Sequence, residues 1–312
     1  MADAGVSRAP IWTELDRRLP GRVRRDAPLG ALTTWRVGGP AAAIVQVETA
    51  ADLEVVAATV PPDVERLVLG RGSNLLVADA GFEGVVIVLG SAFGTVEVGD
   101  RSVTAGGATA LPVLARQCAA SGRAGLGFYV GIPGSVGGAV RMNAGGHGRE
   151  TVEVITAATV ADLDQDGSAR RWTVAELGLG YRTSALGPGQ VVLDATFAVT
   201  PVPADATEEL RAELREIVQW RSEHQPGGAN AGSVFRNPSG DAAARLIDEV
   251  CGLRGMRRGG AAVSEKHANF IQADEGATAA DVRGLIDAVR DTVAERTGIR
   301  LDVEVHCVGF ED

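Results

Sequence analysis

The chain has 312 residues, 45% of them hydrophobic, and a formal net charge of −10 with a single lysine, Lys266. That length can bury a sizeable core and divide into two or three domains, while the charge repels nucleic acid and anionic membrane surfaces and no basic run offsets it. No apolar stretch reaches membrane-span length, and the opening MADAGVSRAPIW lacks the apolar run of a signal peptide, so a cytoplasmic protein is expected.

In chain order, residues 43–47 form a short apolar strand, Thr49 can cap a helix over Ala50–Thr59, and residues 67–69 and 85–89 are further strands bounded by glycine. Turns at 33–39 and 70–76 can present backbone N–H groups, with Ser73 and Asn74 adding side-chain bonds. Val96–Val98 and residues 103–105 suggest a hairpin, and 111–121 a helix with Pro112 in its first turn and Gly122 past its end. Strands follow at 152–160 and 191–199, separated by a polar loop, and Pro201-Val-Pro203 marks a boundary. From Thr207 the pattern is helical, with Leu210, Leu214, Ile217 and Val218 on one face and the end near Trp220–His224. A helix at 241–251 stops at Gly252. The capping box of Thr278 and Asp281 starts another, with Val282, Leu285, Ile286, Val289 and Val293 as its buried stripe and Gly298 as its stop. Residues 301–308 alternate as a strand does, which sets Asp302 and Glu304 on one face. This strand is expected to return to the second block.

The densest signal is GIPGSVGGAVRMNAGGHG at 131–148, in which seven glycines leave long tracts of backbone without side-chain cover. Such density suits a run of tight turns or a close-fitting anionic or planar ligand. A Walker loop is excluded, because Lys266 is far away, and both candidate G-x-G-x-x-G runs, at Gly70 and Gly125, lack the third glycine. Polar groups set among apolar or glycine neighbours are Tyr181 with Arg182, Arg221 with His224, Ser233 within AGSVFRNP, and Glu304. Each alone is also an ordinary surface or turn residue. No G-x-S-x-G exists, and no motif sets a histidine beside Ser233, so a Ser-His-Asp hydrolase is weakly supported. Lys266-His267-Ala-Asn269-Phe270 can hold a ligand or pin a loop. Cys118, Cys251 and Cys307 are far apart and odd in number, which suggests neither disulfides nor zinc, and no metal is expected.

Together these stretches resemble the UDP-N-acetylenolpyruvoylglucosamine reductases, also called UDP-N-acetylmuramate dehydrogenases. The carriers are residues 33–39, 70–76, 131–148, 180–182, 231–238, 259–271 and the run Leu301-x-x-Glu304-x-x-x-x-Gly309. The resemblance implies an α+β protein: a two-part FAD-binding module of the vanillyl-alcohol-oxidase (PCMH) type in residues 1–90 and 91–203 plus 299–312, and an α+β substrate-binding domain in 204–298. It implies non-covalent FAD, NADPH as hydride donor, UDP-N-acetylglucosamine enolpyruvate as substrate, and a monomer. By similarity Ser233 delivers a proton, while Arg182 and Glu304 stabilise the enolate-like species. FAD contacts are implied for Arg36, Gly38, Gly70, Gly72, Ser73, Asn74, Leu75, Gly131, Pro133, Gly134, Ser135, Gly137, Gly138, Ala139, Asn143, Gly145 and Gly148. Substrate contacts are implied for Tyr181, Arg221, His224, Asn237, His267 and Asn269.

The sequence departs from the family pattern at His224, where lysine is often found, at Arg71 where glycine is common, at Ser135 for threonine, and at Gly127 where an acidic residue is usual. No tyrosine-bearing insertion lies between Asn237 and Gly259, as in the shorter type of the family. Two rival readings stand beside this one. A sugar or alcohol oxidase could tether FAD through His147, and a flavin-binding paralogue could lack catalysis, although the latter would have no use for Arg182, Ser233 and Glu304 together.

Overall fold

A computed structural model describes residues 8–310, so the first seven residues on which the N-terminal reading partly rests lie outside the described residues. The first sheet runs in the order Val23–Ala27, Ala41–Val47, Phe82–Leu89, Arg66–Leu69, with only the first pair antiparallel. Helix Ala50–Thr59 makes the crossover between parallel strands. It starts where Thr49 Oγ1 accepts from Asp52 N–H and the Asp52 carboxylate accepts in return from Thr49 N–H.

The second sheet is antiparallel throughout, in the order Ala169–Thr173, Ile155–Asp162, Gln190–Ala198, Ser102–Gly106, Val96–Val98. Its outer strand Ala169–Thr173 lies in the stretch expected to be polar loop. As an edge strand it is mostly exposed, so its composition carries little apolar alternation. Helices Leu111–Ala120 and Val136–Met142 contribute to the core beside this sheet. The second of these adds to the sequence reading, which took 131–148 as a run of tight turns or a close-fitting ligand cradle. Val136, Ala139 and Val140 supply a buried stripe at helical spacing and Ser135 caps it, so local packing overrides the glycine content. Helix Thr207–His224 buries Leu214 and Ile217 in the same core, but Val218, expected on the buried face, is exposed.

The third core gathers around the antiparallel strands Arg257–Arg258, Ala261–Val263 and Ile271–Ala273, with the long helix Ala279–Thr297 against them. That helix begins at the predicted capping box and ends at Gly298, whose φ of +74° is left-handed. The helix expected over 241–251 is a short α segment, Ala243–Arg245, that loosens into a π turn, Leu246–Val250.

The end of the chain corrects the sequence reading. His306–Val308 pairs in parallel with Leu75–Val77, not with the second sheet, and only these three residues form a strand. Residues 301–305 instead run against the Ser233 segment through a single bridge, Phe235 to Val303. The units interlock through shared cores. Trp35, Val37 and Leu76 pack into the third core, and Trp35 Nε1–H donates to the Ile271 carbonyl at 2.8 Å. Asp79 accepts from the N–H groups of Ala279 and Ala280 at the start of the long helix. Ala161, Leu163, Val191 and Leu193 of the second sheet complete the core of the first.

Candidate active site

A cavity of about 890 Å³ opens where the three units meet, walled by residues 66–75, 131–146, 181–188, 220–237 in part, and 303–306. Its floor is bare backbone from two distant segments. A Cβ built on Gly70 would sit 2.5 Å from Ser135 Oγ, so a larger residue there would have to displace the Ser135 hydroxyl. The N–H groups of Arg71, Gly72, Ser73 and Asn74 make no hydrogen bond to protein among the described residues. Four successive free donors in a turn form a concavity suited to an anion. Asn74 is committed elsewhere: its side-chain amide N–H donates to the Glu304 carbonyl at 3.1 Å, while its main-chain carbonyl accepts from His306 N–H at 3.1 Å. The anion cradle and the acidic residue are thereby fixed to one another.

Arg182 sits in a tight turn closed by reciprocal bonds between Gly180 and Thr183, at a φ of +54° that costs a side-chain-bearing residue on the order of 1 kcal/mol. Its Nε lies 3.2 Å from Glu304 Oε1 and its Nη1 3.3 Å from Glu150 Oε1, while Nη2 donates to the Gly145 carbonyl at 3.3 Å. The Arg182 side chain is 20% exposed and that of Glu304 16%. Burial raises the Glu304 carboxyl above its ordinary value, against the pull of Arg182 and Arg236, so it holds a proton to higher pH than a surface glutamate.

Ser233 lines the same wall. It follows Gly232 at a φ of +78°, and the chain just after it is held by Asn269, which bonds both the N–H and the carbonyl of Phe235. The cavity therefore brings Ser233, Arg182 and Glu304 together from three separate stretches. It also takes in Gly70, Gly72, Ser73, Asn74, Leu75, Gly131, Pro133, Gly134, Ser135, Gly138, Ala139 and Gly145 of the implied cofactor set, and Tyr181, Arg221, Asn237 and Asn269 of the implied substrate set.

Seven implied residues do not line it. Arg36 is exposed, and its N–H bonds Thr33 Oγ1. Gly38, at a φ of +103°, lies so close to the Val77 carbonyl that a Cβ would approach to 2.2 Å, a packing role one layer behind the wall. Gly137 turns its N–H to the Gly107 carbonyl, away from the cavity. Asn143 is buried behind the wall, where its side chain joins Gly180, Glu150 and Val152 and so supports the Arg182 turn. Gly148 is a left-handed turn residue in open space. His224 stacks on Trp220 with ring centroids 4.6 Å apart, and His267 packs edge-on against Phe270 while its Nδ1 accepts from Asn269 N–H.

Other lining residues were not singled out by sequence reasoning: Arg141, Trp220, Arg236 and His306. Arg236 had a readable signal, being the only cation in AGSVFRNP, three residues after Ser233. His147, weighed as a cofactor contact, does line the cavity; burial first and then Arg221 hold its ring below the ordinary histidine range. Among the described residues no group of three or more His, Cys, Asp or Glu could hold a metal ion, and no helix is long and apolar enough to cross a membrane.

Comparison with known proteins settles the family. A profile described as the FAD binding domain matches residues 41–172, and one described as the UDP-N-acetylenolpyruvoylglucosamine reductase C-terminal domain matches residues 224–308. A UDP-N-acetylenolpyruvoylglucosamine reductase of Acidiphilium cryptum is 42% identical over 306 residues, 97% of each chain, and that of Caulobacter sp. strain K31 is 44% identical over 299 residues, 93% of this chain and 95% of the relative. This chain belongs to the UDP-N-acetylenolpyruvoylglucosamine reductase family. The solved reductase from Thermus caldophilus superposes with a TM-score of 0.80 at 37% identity, over 92% of this chain and 99% of that one. A vanillyl-alcohol-oxidase-type flavoprotein from Myceliophthora thermophila shares the fold with a TM-score of 0.58 at 10% identity, over 96% of this chain and 87% of that one. The reductase fold is thus the α+β arrangement expected, a two-part FAD-binding module followed by a C-terminal α+β domain.

Proposed function

We propose that this chain reduces UDP-N-acetylglucosamine enolpyruvate to UDP-N-acetylmuramate with FAD and NADPH, in the synthesis of peptidoglycan precursors. The observation that carries this reading is the Arg182–Glu304 contact at 3.2 Å on the wall that also holds Ser233 and the two glycine segments. The residues present fit a flavin dinucleotide. The four free N–H groups of residues 71–74 suit its pyrophosphate, and a cavity of about 890 Å³ lies high in the range of roughly 300–1,000 Å³ common for small-molecule sites.

FAD, when bound, supplies hydride transfer from NADPH to the enol-ether double bond. The chain's own residues supply the rest. Addition of hydride to the terminal carbon leaves negative charge shared between the neighbouring carbon and the substrate carboxylate. The Arg182 guanidinium, held by Glu304, Glu150 and the Gly145 carbonyl, offers a fixed positive field for that charge. Glu304, with its proton affinity increased by burial, can share a proton with the carboxylate. Ser233 delivers the proton to the carbon, a role that nearby positive charge eases for a weakly acidic hydroxyl. Arg221 and Tyr181 serve the nucleotide end. Asn237 and Asn269 line the wall, but their side chains are tied respectively to Ala243 N–H and to the Phe235 backbone, so they shape the pocket as well.

On the same reading, residues 1–90 and 91–203 form the two halves of the flavin module and 204–298 the substrate unit. Residues 306–308 join the first half through their pairing with Leu75–Val77. The protein works as a monomer in the cytoplasm. The test is the visible spectrum of purified protein under anaerobic conditions. NADPH should bleach the flavin bands and the enolpyruvyl nucleotide should restore them, with all flavin released on denaturation. Flavin that stays attached would favour a tethered oxidase at His147, and flavin that stays reduced would favour a non-catalytic binder.

A further inference from the structure

We propose that Arg236 is a positioning residue for the second half-reaction, clamping the backbone of Arg182 and placing a second positive charge beside Glu304. This rests on the functional reading above. The base of Arg236 is rigid. Its N–H donates to the Asp302 carbonyl at 2.9 Å, Glu304 N–H donates to Val234 O at 2.8 Å, and Phe235 between them is held by Asn269. The Ser233 and Glu304 segments are therefore cross-linked, and Arg236 leaves that junction into the cavity wall.

From there its Nη2 donates to the Arg182 carbonyl at 3.1 Å, across 54 positions of sequence. That carbonyl belongs to a residue held in a left-handed conformation, and a charged donor on its peptide stabilises the turn that aims the Arg182 side chain. Arg236 Nε is buried and has no hydrogen-bond partner among the described residues. Leaving a buried donor unpaired is destabilising, which ordinary packing would avoid with a shorter side chain. Glu304 lines the same wall, paired among the described residues through Oε1 to Arg182, and Arg236 adds to the positive field on its carboxyl. The charged groups facing Glu304 are Arg182 and Arg236. Glu150 pairs with a different nitrogen of Arg182, Asp302 is exposed and outside the wall, and His306, also on the wall, feels Arg141 and Glu65 as its neighbouring charges.

Two substitutions separate clamp from charge. Arg236→Met removes both, whereas Arg236→Lys keeps the charge and loses the planar fork. In stopped-flow measurements on the holoenzyme, the Met variant should slow flavin reoxidation by the enolpyruvyl nucleotide about 10–100-fold, at least tenfold more than it slows reduction by NADPH. The Lys variant should fall between it and the wild type. In 13C-carboxylate NMR titrations of substrate-free protein, with the Glu304 signal assigned through Glu304→Gln, the Met variant should move the Glu304 titration to higher pH and the Lys variant should not. Reoxidation within twofold of wild type in the Met variant, equal slowing of both halves, or a raised KM with unchanged kcat would overturn the proposal, the last marking an anion-binding residue instead. Should the Met variant not fold, slowed reoxidation with an unmoved titration in the Lys variant supports the clamp, and wild-type rates contradict it. The titration decides the Arg236–Glu304 link even where wild-type flavin fails to reoxidise, a result that would sink the functional reading alone.

Discussion

Glu304 shows how one side chain's surroundings set its chemistry. Its carboxyl is mostly buried, and burial outweighs the attraction of two arginines, so its proton is held above the ordinary value of 4.5. The sign of the linkage follows. A group whose folded-state affinity for protons is raised favours the native state below its unfolded pKa, and that advantage is lost as pH rises through the folded value. Thermal melts of wild type and Glu304→Gln across pH should therefore diverge from about pH 4.5 upward. The wild type should lose ground to the variant as pH increases, and parallel curves would mean the carboxylate is paid for by its arginines after all. Residue roles were only partly legible in the sequence. Ser233, Arg182 and Glu304 are separated by up to 122 positions (304 − 182), and no local spacing joins them; the resemblance alone grouped them. The same resemblance placed Asn143 among the cofactor contacts, whereas its amide is spent on Gly180, Glu150 and Val152 behind the wall. Which way a side chain points depends on backbone curvature that residue identity does not encode.

At the scale of elements, local signals read well. Thr49, Thr278 and Gly298 act as caps at the places their chemistry indicated, because caps satisfy backbone groups within four residues of themselves. The helix Ala279–Thr297 buries Leu285, Ile286 and Val289 completely in the third core. Leu285→Ala should lower stability by about 2–5 kcal/mol through lost burial and the cavity it leaves, and Thr278→Ala by about 0.5–2 kcal/mol through the lost cap. Urea denaturation would check both, and a Leu285→Ala cost no larger than that of Thr278→Ala would mean the helix is docked more loosely than its burial implies. Non-local pairings were the part the sequence hid. The strand His306–Val308 alternates equally well for any edge, and its partner Leu75–Val77 lies about 230 positions earlier, in a stretch that read as a turn. The glycine-rich helix Val136–Met142 was hidden for the opposite reason: its propensity argued against a helix that tertiary packing imposes.

For the whole molecule, the active cavity is a product of interlocked cores. Trp35 and Leu76 of the first unit reach into the third, and the second sheet completes the first core, so the walls carrying residues 70–75, 131–146 and 231–237 cannot shift independently without breaking buried contacts. Asn74 ties the free N–H turn to the Glu304 segment, and Asn269 ties the Ser233 segment to its neighbour. On the proposed mechanism, such cross-links hold the hydride-delivering and proton-delivering sides of the cavity at a fixed distance. On the proposed mechanism, Ser233 acts only after the flavin has been reduced. The most direct measurement is single-turnover stopped-flow on Ser233→Ala, following flavin absorbance first with NADPH and then with the enolpyruvyl nucleotide. Reduction should run near the wild-type rate and reoxidation should be slower by about 10²–10⁴-fold; equal loss in both halves, or reoxidation at the wild-type rate, would rule out Ser233 as the proton donor.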